Sequence, residues 1–577
     1  MPTIADTLIP RPQASNFDLS RTWVSDYYLG ALVPAYIEEV LPGDMWSISS
    51  SNDVWTNPLE TPLLGSMDQE IAWFFIPTRL YQQDLDINKR NFAPEDSAFP
   101  YFSLPTFLAS TFQPYELANN SFSQLFGVPT NSLLDYLGVP PGTVFQTQAS
   151  ATPRLNAIPL VGYFDIFRNY YAAQEVDTFP MFFSSIEDGV VTYTRSTKNL
   201  ANLDALIQAF VSTPGISWDA AVSSSSVGLS DLRFGYNNTY TDAGSASQTA
   251  PQYTMNRFFL TLWRCFRSDW YTSWLNNTTY TAMQTKAKIN VVDNILTINQ
   301  IRQANATISY YEAGLLSGGR YDSWVYALFG VHTDQRLCIP ELLGVSHSPI
   351  IFQDVVNQAL SDKALGQLGA LGRGSMRPSR IRFSASEHGY LMAIYSIVPN
   401  VSYAQGLRPY LQKSNMFDLA SPKFQNIGFQ PLHTWTLSGP ARYNYNLKNK
   451  ERTITFYDKD SAIGVQPAYI EYETAVNEVH GSMVPGAPLQ SWSLSRVFDP
   501  FRQFDGNGFP VPGLSLAGNI SPYPSEPAYR DSPYATPQTC VMPWTIQDLS
   551  SSNIMVKFNF DVFVRRYLSK HNMPKLA

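Results

Sequence analysis

A strict alternation near the C-terminal end constrains this chain more than any other feature. Ile554, Val556, Phe558, Phe560, Val562 and Val564 alternate with Met555, Lys557, Asn559, Asp561, Phe563 and Arg565. A period of two puts successive side chains on opposite faces of a strand, so one face is buried and the other is more polar. Other strand signals lie far away. Residues 32–48 read as a strand, a Pro42-Gly43-Asp44 turn and the start of a second strand. Residues 71–77 form an apolar run stopped by proline, and residues 381–398 are strand-like. Strong strands are thus scattered at both ends and in the middle. Regular βαβ alternation is absent, which argues against a doubly wound sheet. No repeat with a period of roughly 20–50 residues is present, which argues against solenoids and propellers.

The segments between the strands are long. Residues 1–30 have little periodicity and read as an N-terminal arm. Residues 92–153 are loop-rich, punctuated by Pro94, Pro100, Pro105, Pro114, Pro129, Pro140 and Pro141. Residues 160–173 fit a helix with Leu160, Tyr163, Phe164 and Phe167 on one face, and residues 291–308 fit a second. Residues 184–252, rich in Ser, Gly and Asn, read as a surface insertion that packs through Phe210, Trp218, Phe234 and Tyr236. A length of 577 residues would ordinarily suggest three to five domains. Composition points elsewhere. Charged residues are only 15% of the chain, against 35 Phe, 33 Tyr, 12 Trp and 41 Pro. Low charge with many aromatics is the signature of protein–protein interfaces. Loops this long become acceptable in one domain if they pack against copies of the same protein. The expected fold is therefore mainly β: one β-sandwich or jelly roll over residues 31–577, carrying large insertions.

The net charge is −8, from 39 basic and 47 acidic residues. A whole-surface nucleic-acid binder would be basic, so any such contact is local or shared with another protein. Cys265, Cys338 and Cys540 make no disulfide framework, which suits a reducing compartment. The opening MPTIADTLIPRPQ lacks the basic and apolar regions of a signal peptide. The uncharged stretch 389–407 is cut by Pro399-Asn400 and is too short to span a membrane. The N-x-S/T triplets at Asn276, Asn305, Asn400 and Asn519 are read as chance matches.

No catalytic or cofactor constellation emerges. There is no phosphate-binding P-loop, no G-x-S-x-G, no C-x-x-C and no H-E-x-x-H, so no catalytic, cofactor or metal residue is assigned. The six histidines lack metal-ligand spacing, and Glu387-His388 reads as a structural pair. Asp84, Asp86, Asn88 and Glu95 have the spacing of a calcium loop, but Lys89 stands where the turn needs glycine. Glycosidase carboxylates need no fixed spacing, so a carbohydrate-binding or glycoside-hydrolysing β-sandwich stays open as the alternative.

Two basic clusters are the candidate nucleic-acid contacts. Arg373, Arg377, Arg380 and Arg382 lie in GRGSMRPSRIRF, and Arg565, Arg566 and Lys570 lie in the acid-free RRYLSKHNMPKLA. Arginines without opposing carboxylates suit phosphate. The competing reading is solvated loops, or ion pairs across a subunit interface. Phe383 and Tyr567 lie beside these clusters, where aromatics could stack on unpaired bases.

Ordered motifs over residues 30–575 resemble the major capsid proteins of the Microviridae, the small single-stranded-DNA bacteriophages, and in particular their gokushovirus-like branch. The motifs are LVPAYIEEVLPGDMW (32–46), FFIPTRL (74–80), LNAIPLVGYFDIFRNYY (155–171) and WRCFRSDWYTS (263–273). The densest run holds INQIRQA (298–304), GGRYDSW (318–324), FGVHTDQRLCIPELLG (329–344), SHSPI (346–350), LGQLGALG (365–372), SEHGYLMAIYSI (386–397) and YAQGL (403–407). Residues 440–550 match only loosely. The resemblance implies a non-enzymatic virion protein with an eight-stranded antiparallel jelly roll. It further implies sixty copies in a T=1 icosahedral capsid around circular single-stranded DNA, with residues 184–252 as a protrusion at the three-fold axes. The partners it implies are a small basic DNA-packaging protein, a pilot protein, an internal scaffold and a host surface receptor, with folding and assembly in the host cytoplasm.

Overall fold

The computed structural model describes, in the main, residues 13–82, 131–141, 154–213, 261–267, 339–356, 368–495 and 553–568, with short breaks and a few isolated residues besides. Its principal sheet is antiparallel. The strands are β1 (Ser15–Asp18), β2 (Arg21–Tyr27), β3 (Val33–Val40), β4 (Met45–Thr56), β5 (Ser66–Pro77), β6 (Glu341–Val356), β7 (Leu368–Ser384), β8 (Gly389–Pro399) and β9 (Ile554–Arg566). Their order across the sheet is β1-β9-β4-β7-β6-β5-β8-β3, and β2 extends the β1 edge along β9. The expected mainly β fold with an antiparallel, curled sheet is therefore present. This sheet has nine strands among the described residues, and β1 and β2 divide one of its edges.

The sheet rolls until its two ends face each other. Phe560 of β9 lies 5.1 Å from Tyr36 of β3 and 5.7 Å from Trp73 of β5, ring centre to ring centre. Phe558 lies 4.9 Å from Tyr395 of β8. All five rings are buried. Aromatics carry the seam because their large apolar area spans the gap between facing sheets. A small polar bridge crosses the same interior: Asn52 donates to Gln69 at 2.7 Å, and the Tyr395 hydroxyl donates to the same Gln69 oxygen at 3.0 Å. The shared Gln69 oxygen ties β4 and β8 to β5 across the interior, while the Gln69 Nε2 is buried without a hydrogen-bond partner among the described residues.

Residues 15–27, read from the sequence as part of an arm, add β1 and β2 to this sheet. Trp23 packs on Phe558 at 5.9 Å and ties the segment down. The signal is weak in sequence because Asp18, Arg21 and Asp26 interrupt the apolar alternation.

Helices cover one side. The expected 160–173 helix is α1 (Ile158–Ile166), continued by a π-helical turn, Phe167–Tyr171. It starts where Asn156 accepts a hydrogen bond from the Ile158 amide at 2.9 Å and Pro159 presets the first turn. Asp165 on α1 accepts from the Tyr81 hydroxyl at 2.7 Å and pairs with Arg168 at 2.6 Å. Burial nevertheless holds its carboxyl above the usual range. Within the 184–252 segment, α2 (Leu200–Ser212) buries Leu203, Leu206, Ile207 and Phe210 in the core. Trp218, Phe234 and Tyr236 lie outside the described residues, as do nearly all of 291–308 and the calcium-like spacing Asp84, Asp86, Asn88 and Glu95.

Glu387-His388 sits structurally at the start of β8. Arg79 grips Glu387 through two hydrogen bonds of 2.9 and 3.1 Å, and the His388 carbonyl accepts from the Thr78 amide. The next residue, Gly389, has no room for a side chain: a Cβ there would lie 2.4 Å from the Ile76 carbonyl oxygen and 2.5 Å from the Phe75 ring. Gly389→Ala is expected to destabilise the fold by about 1–3 kcal/mol through overpacking, readable as a lower melting temperature of the purified chain.

Candidate nucleic-acid face

The solvent-facing side of β9, β4 and β7 gathers most of the candidate cations. In β9 the alternation is as the sequence dictates. Val556, Phe558, Phe560, Val562 and Val564 are buried, while Met555, Asp561, Phe563 and Arg565 are exposed. Its neighbour β4 follows the same rhythm, with Trp46, Ile48, Ser50, Asn52 and Val54 buried. Met45 and Trp55 are exposed, with Ser47, Ser49, Ser51 and Asp53 between them on that face.

The arginines of β7 reach this face through an irregularity. Arg373 and Arg377 occupy odd positions, Arg380 and Arg382 even ones, so an unbroken strand would send the two pairs to opposite sides. The register with β4 runs Met376↔Asn52 and then Ser379↔Ser50, so that Arg377 and Pro378 together oppose Ser51. This is a β-bulge, and a proline with no N–H to donate suits it. The extra residue restores phase. All four arginines are exposed, while Met376 is buried and Ile381 and Phe383 turn toward the core.

Rows run across the three strands. Phe563, Ser47 and Arg382 are register partners in sequence, as are Asp561, Ser49 and Arg380, and Met555, Trp55 and Arg373. On these strands the face presents Arg373, Arg377, Arg380, Arg382, Arg565 and Lys557, against the carboxylates Asp53 and Asp561. Among the described residues none of these five arginines forms an ion pair. An acidic chain thus carries one locally cationic sheet face, lined by serine hydroxyls and two exposed aromatics, Phe563 and Trp55.

Arg566 points the other way. It pairs with the buried Asp44 at 2.8 Å, donates to the Glu39 carbonyl at 2.5 Å and lies over the Trp46 ring. Its role in this geometry is to lock β9 to the β3–β4 turn. Lys570 lies outside the described residues. Of the two aromatics proposed for stacking, Phe383 packs on Phe75 at 4.8 Å and Tyr567 lies against Gly43. Phe563 and Trp55 occupy the face instead. Lys557 and Phe563 were visible in the β9 alternation; Trp55 becomes identifiable once the β4 phase is known.

The described residues define a mainly β protein built on one rolled antiparallel sheet. The chain belongs to the Capsid protein (F protein) family, whose model matches residues 9–184 and 209–503. It is 23% identical over 559 residues to Capsid protein VP1 of Chlamydia phage 1, covering 84% of this chain and 87% of that protein. It is 30% identical over 213 residues to Capsid protein VP1 of Bdellovibrio phage phiMH2K, covering 35% and 37% respectively. The resemblance to the Microviridae read from the sequence is borne out. The chain is a major capsid protein, a structural component of the virion and not an enzyme, and it acts as an oligomer. The carbohydrate-active alternative falls with that assignment.

Proposed function

We propose that sixty copies of this chain form a T=1 icosahedral shell around a circular single-stranded DNA genome, with the β9–β4–β7 face turned toward the DNA. The observation that carries the DNA reading is that face: its three strands present six cations against two carboxylates, with Asp18 and Asp26 of β1 and β2 flanking it, on a chain whose net charge is −8. Phosphate contacts from arginine supply sequence-independent affinity. Phe563 and Trp55 among the cations suit unpaired bases, which expose a stacking surface that duplex DNA does not.

The remaining genome charge needs cations from elsewhere, so a small basic packaging protein and divalent ions share the neutralisation. A pilot protein, an internal scaffold and a host surface receptor complete the partners, and folding and assembly take place in the host cytoplasm. The chain is a single capsid domain whose principal sheet takes in residues 15–27 as β1 and β2. The three-fold protrusion is built from residues within 184–252 other than α2, whose Leu203, Leu206, Ile207 and Phe210 are buried in the core.

Particles purified from cells making the virus are expected to show icosahedral symmetry with sixty subunits and to release circular, single-strand-nuclease-sensitive DNA. A lone soluble chain, or particles that release only duplex DNA, would contradict the reading.

A further inference from the structure

A second surface stands out on different grounds. Five of the ten residues from Tyr410 to Leu419 are large, apolar and exposed: Tyr410, Leu411, Met416, Phe417 and Leu419, at 42% to 81% exposure. A loop that merely failed to pack would leave such residues on untethered backbone. This segment is firmly built. Asn415 and Asp418 form a reciprocal cap on the turn Met416–Asp418. Asp418 accepts from the Ser414 amide at 2.7 Å and the Ser414 hydroxyl at 2.9 Å. Gln412 donates to the Leu407 carbonyl at 2.7 Å, and Lys413 pairs with Glu471 at 3.1 Å.

The chemistry of the patch selects its partner. Its two charged side chains, Lys413 and Asp418, are occupied within the chain, so what protrudes is apolar and covering it leaves no bare charge. Arg408, at its edge, pairs with Glu478 at 2.6 Å. A phosphate backbone finds no free cation here among residues 408–422 that the structure describes. The exposed side chains together offer on the order of 700 Å², close to the roughly 800 Å² that each partner contributes to a standard protein interface.

We infer that the 410–419 knob is a contact between subunits, and that its occupant is a second copy of this chain. The inference rests on the shell reading and adds to it the residues that seal one of its seams. Met416 and Phe417, the most exposed of the five, are the anchors.

The test uses the full-length chain expressed with the other virus proteins. A Met416→Ser/Phe417→Ser double variant is compared with the parent, and a photo-crosslinking benzoylphenylalanine is placed at position 417 in otherwise unaltered particles. The double variant is expected to melt with the parent and to lose at least tenfold in particle yield. The crosslinker is expected to give a covalent species of twice the chain mass. Normal particle yield from the double variant, or crosslinks only within one chain, to DNA or to a different protein, would overturn the inference while leaving the shell reading intact. If the variant misfolds, the crosslink decides alone. Absence of particles from the parent as well would overturn the shell reading and this inference with it.

Discussion

Phe560→Ala is expected to cost the fold about 3–5 kcal/mol, the range for deleting a fully buried aromatic. Phe560 sits where the two ends of the rolled sheet meet, in contact with Tyr36, Trp73 and Phe558. Its removal opens a cavity in a seam built from rigid rings, which cannot collapse to fill it. The control lies three residues on. Phe563 is on the same strand but the opposite face, and Phe563→Ala should change stability by no more than about 0.5 kcal/mol. Denaturation of the two purified variants checks both values. Equal losses would mean that β9 does not alternate between core and solvent as described.

The second large effect concerns the genome. Replacing Arg373, Arg377, Arg380 and Arg382 together with alanine is expected to leave shell assembly in place and to reduce packaged DNA severalfold. The four side chains are exposed and form no ion pair among the described residues, so their loss leaves no buried partner stranded. Each phosphate contact removed should lower the salt dependence of single-strand binding by about 0.7 in the log–log slope. Arg566→Ala should behave differently. It strands the carboxylate of Asp44, whose side chain is only 1% exposed, and should destabilise the subunit by about 3 kcal/mol without acting through DNA contact. DNA content per particle and subunit melting separate the two outcomes. Normal genome content in the four-arginine variant would remove the DNA role of β7.

The contrast between these arginines shows how far the sequence could be read. The period of β9 identified its buried face residue by residue, because a long alternating strand admits one interpretation. The apolar runs of β5 and β8 were legible as buried strands for a different reason, being continuous and ended by Pro77 and Pro399. The capsid family was legible from motifs spread along the chain. The orientation of the β7 arginines was not, since it depends on one extra residue at Arg377-Pro378, and a one-residue register shift is visible only against β4. The separation of Arg565 from Arg566 needed the location of Asp44, more than five hundred residues earlier in the chain. The strands β1 and β2 were missed because their hold on the sheet comes from tertiary contacts such as Trp23 with Phe558, rather than from local pattern. The exposed 410–419 knob was invisible because a sequence does not say which apolar residues a fold leaves outside.

A reconstruction of the intact particle is the most direct test of the central claim. Sixty copies are expected, with the β9–β4–β7 face lining the interior and nucleic-acid density within reach of Arg373, Arg377, Arg380, Arg382 and Arg565. A particle in which this face lies on the outer surface, or is closed against carboxylates of a neighbouring subunit, would contradict it.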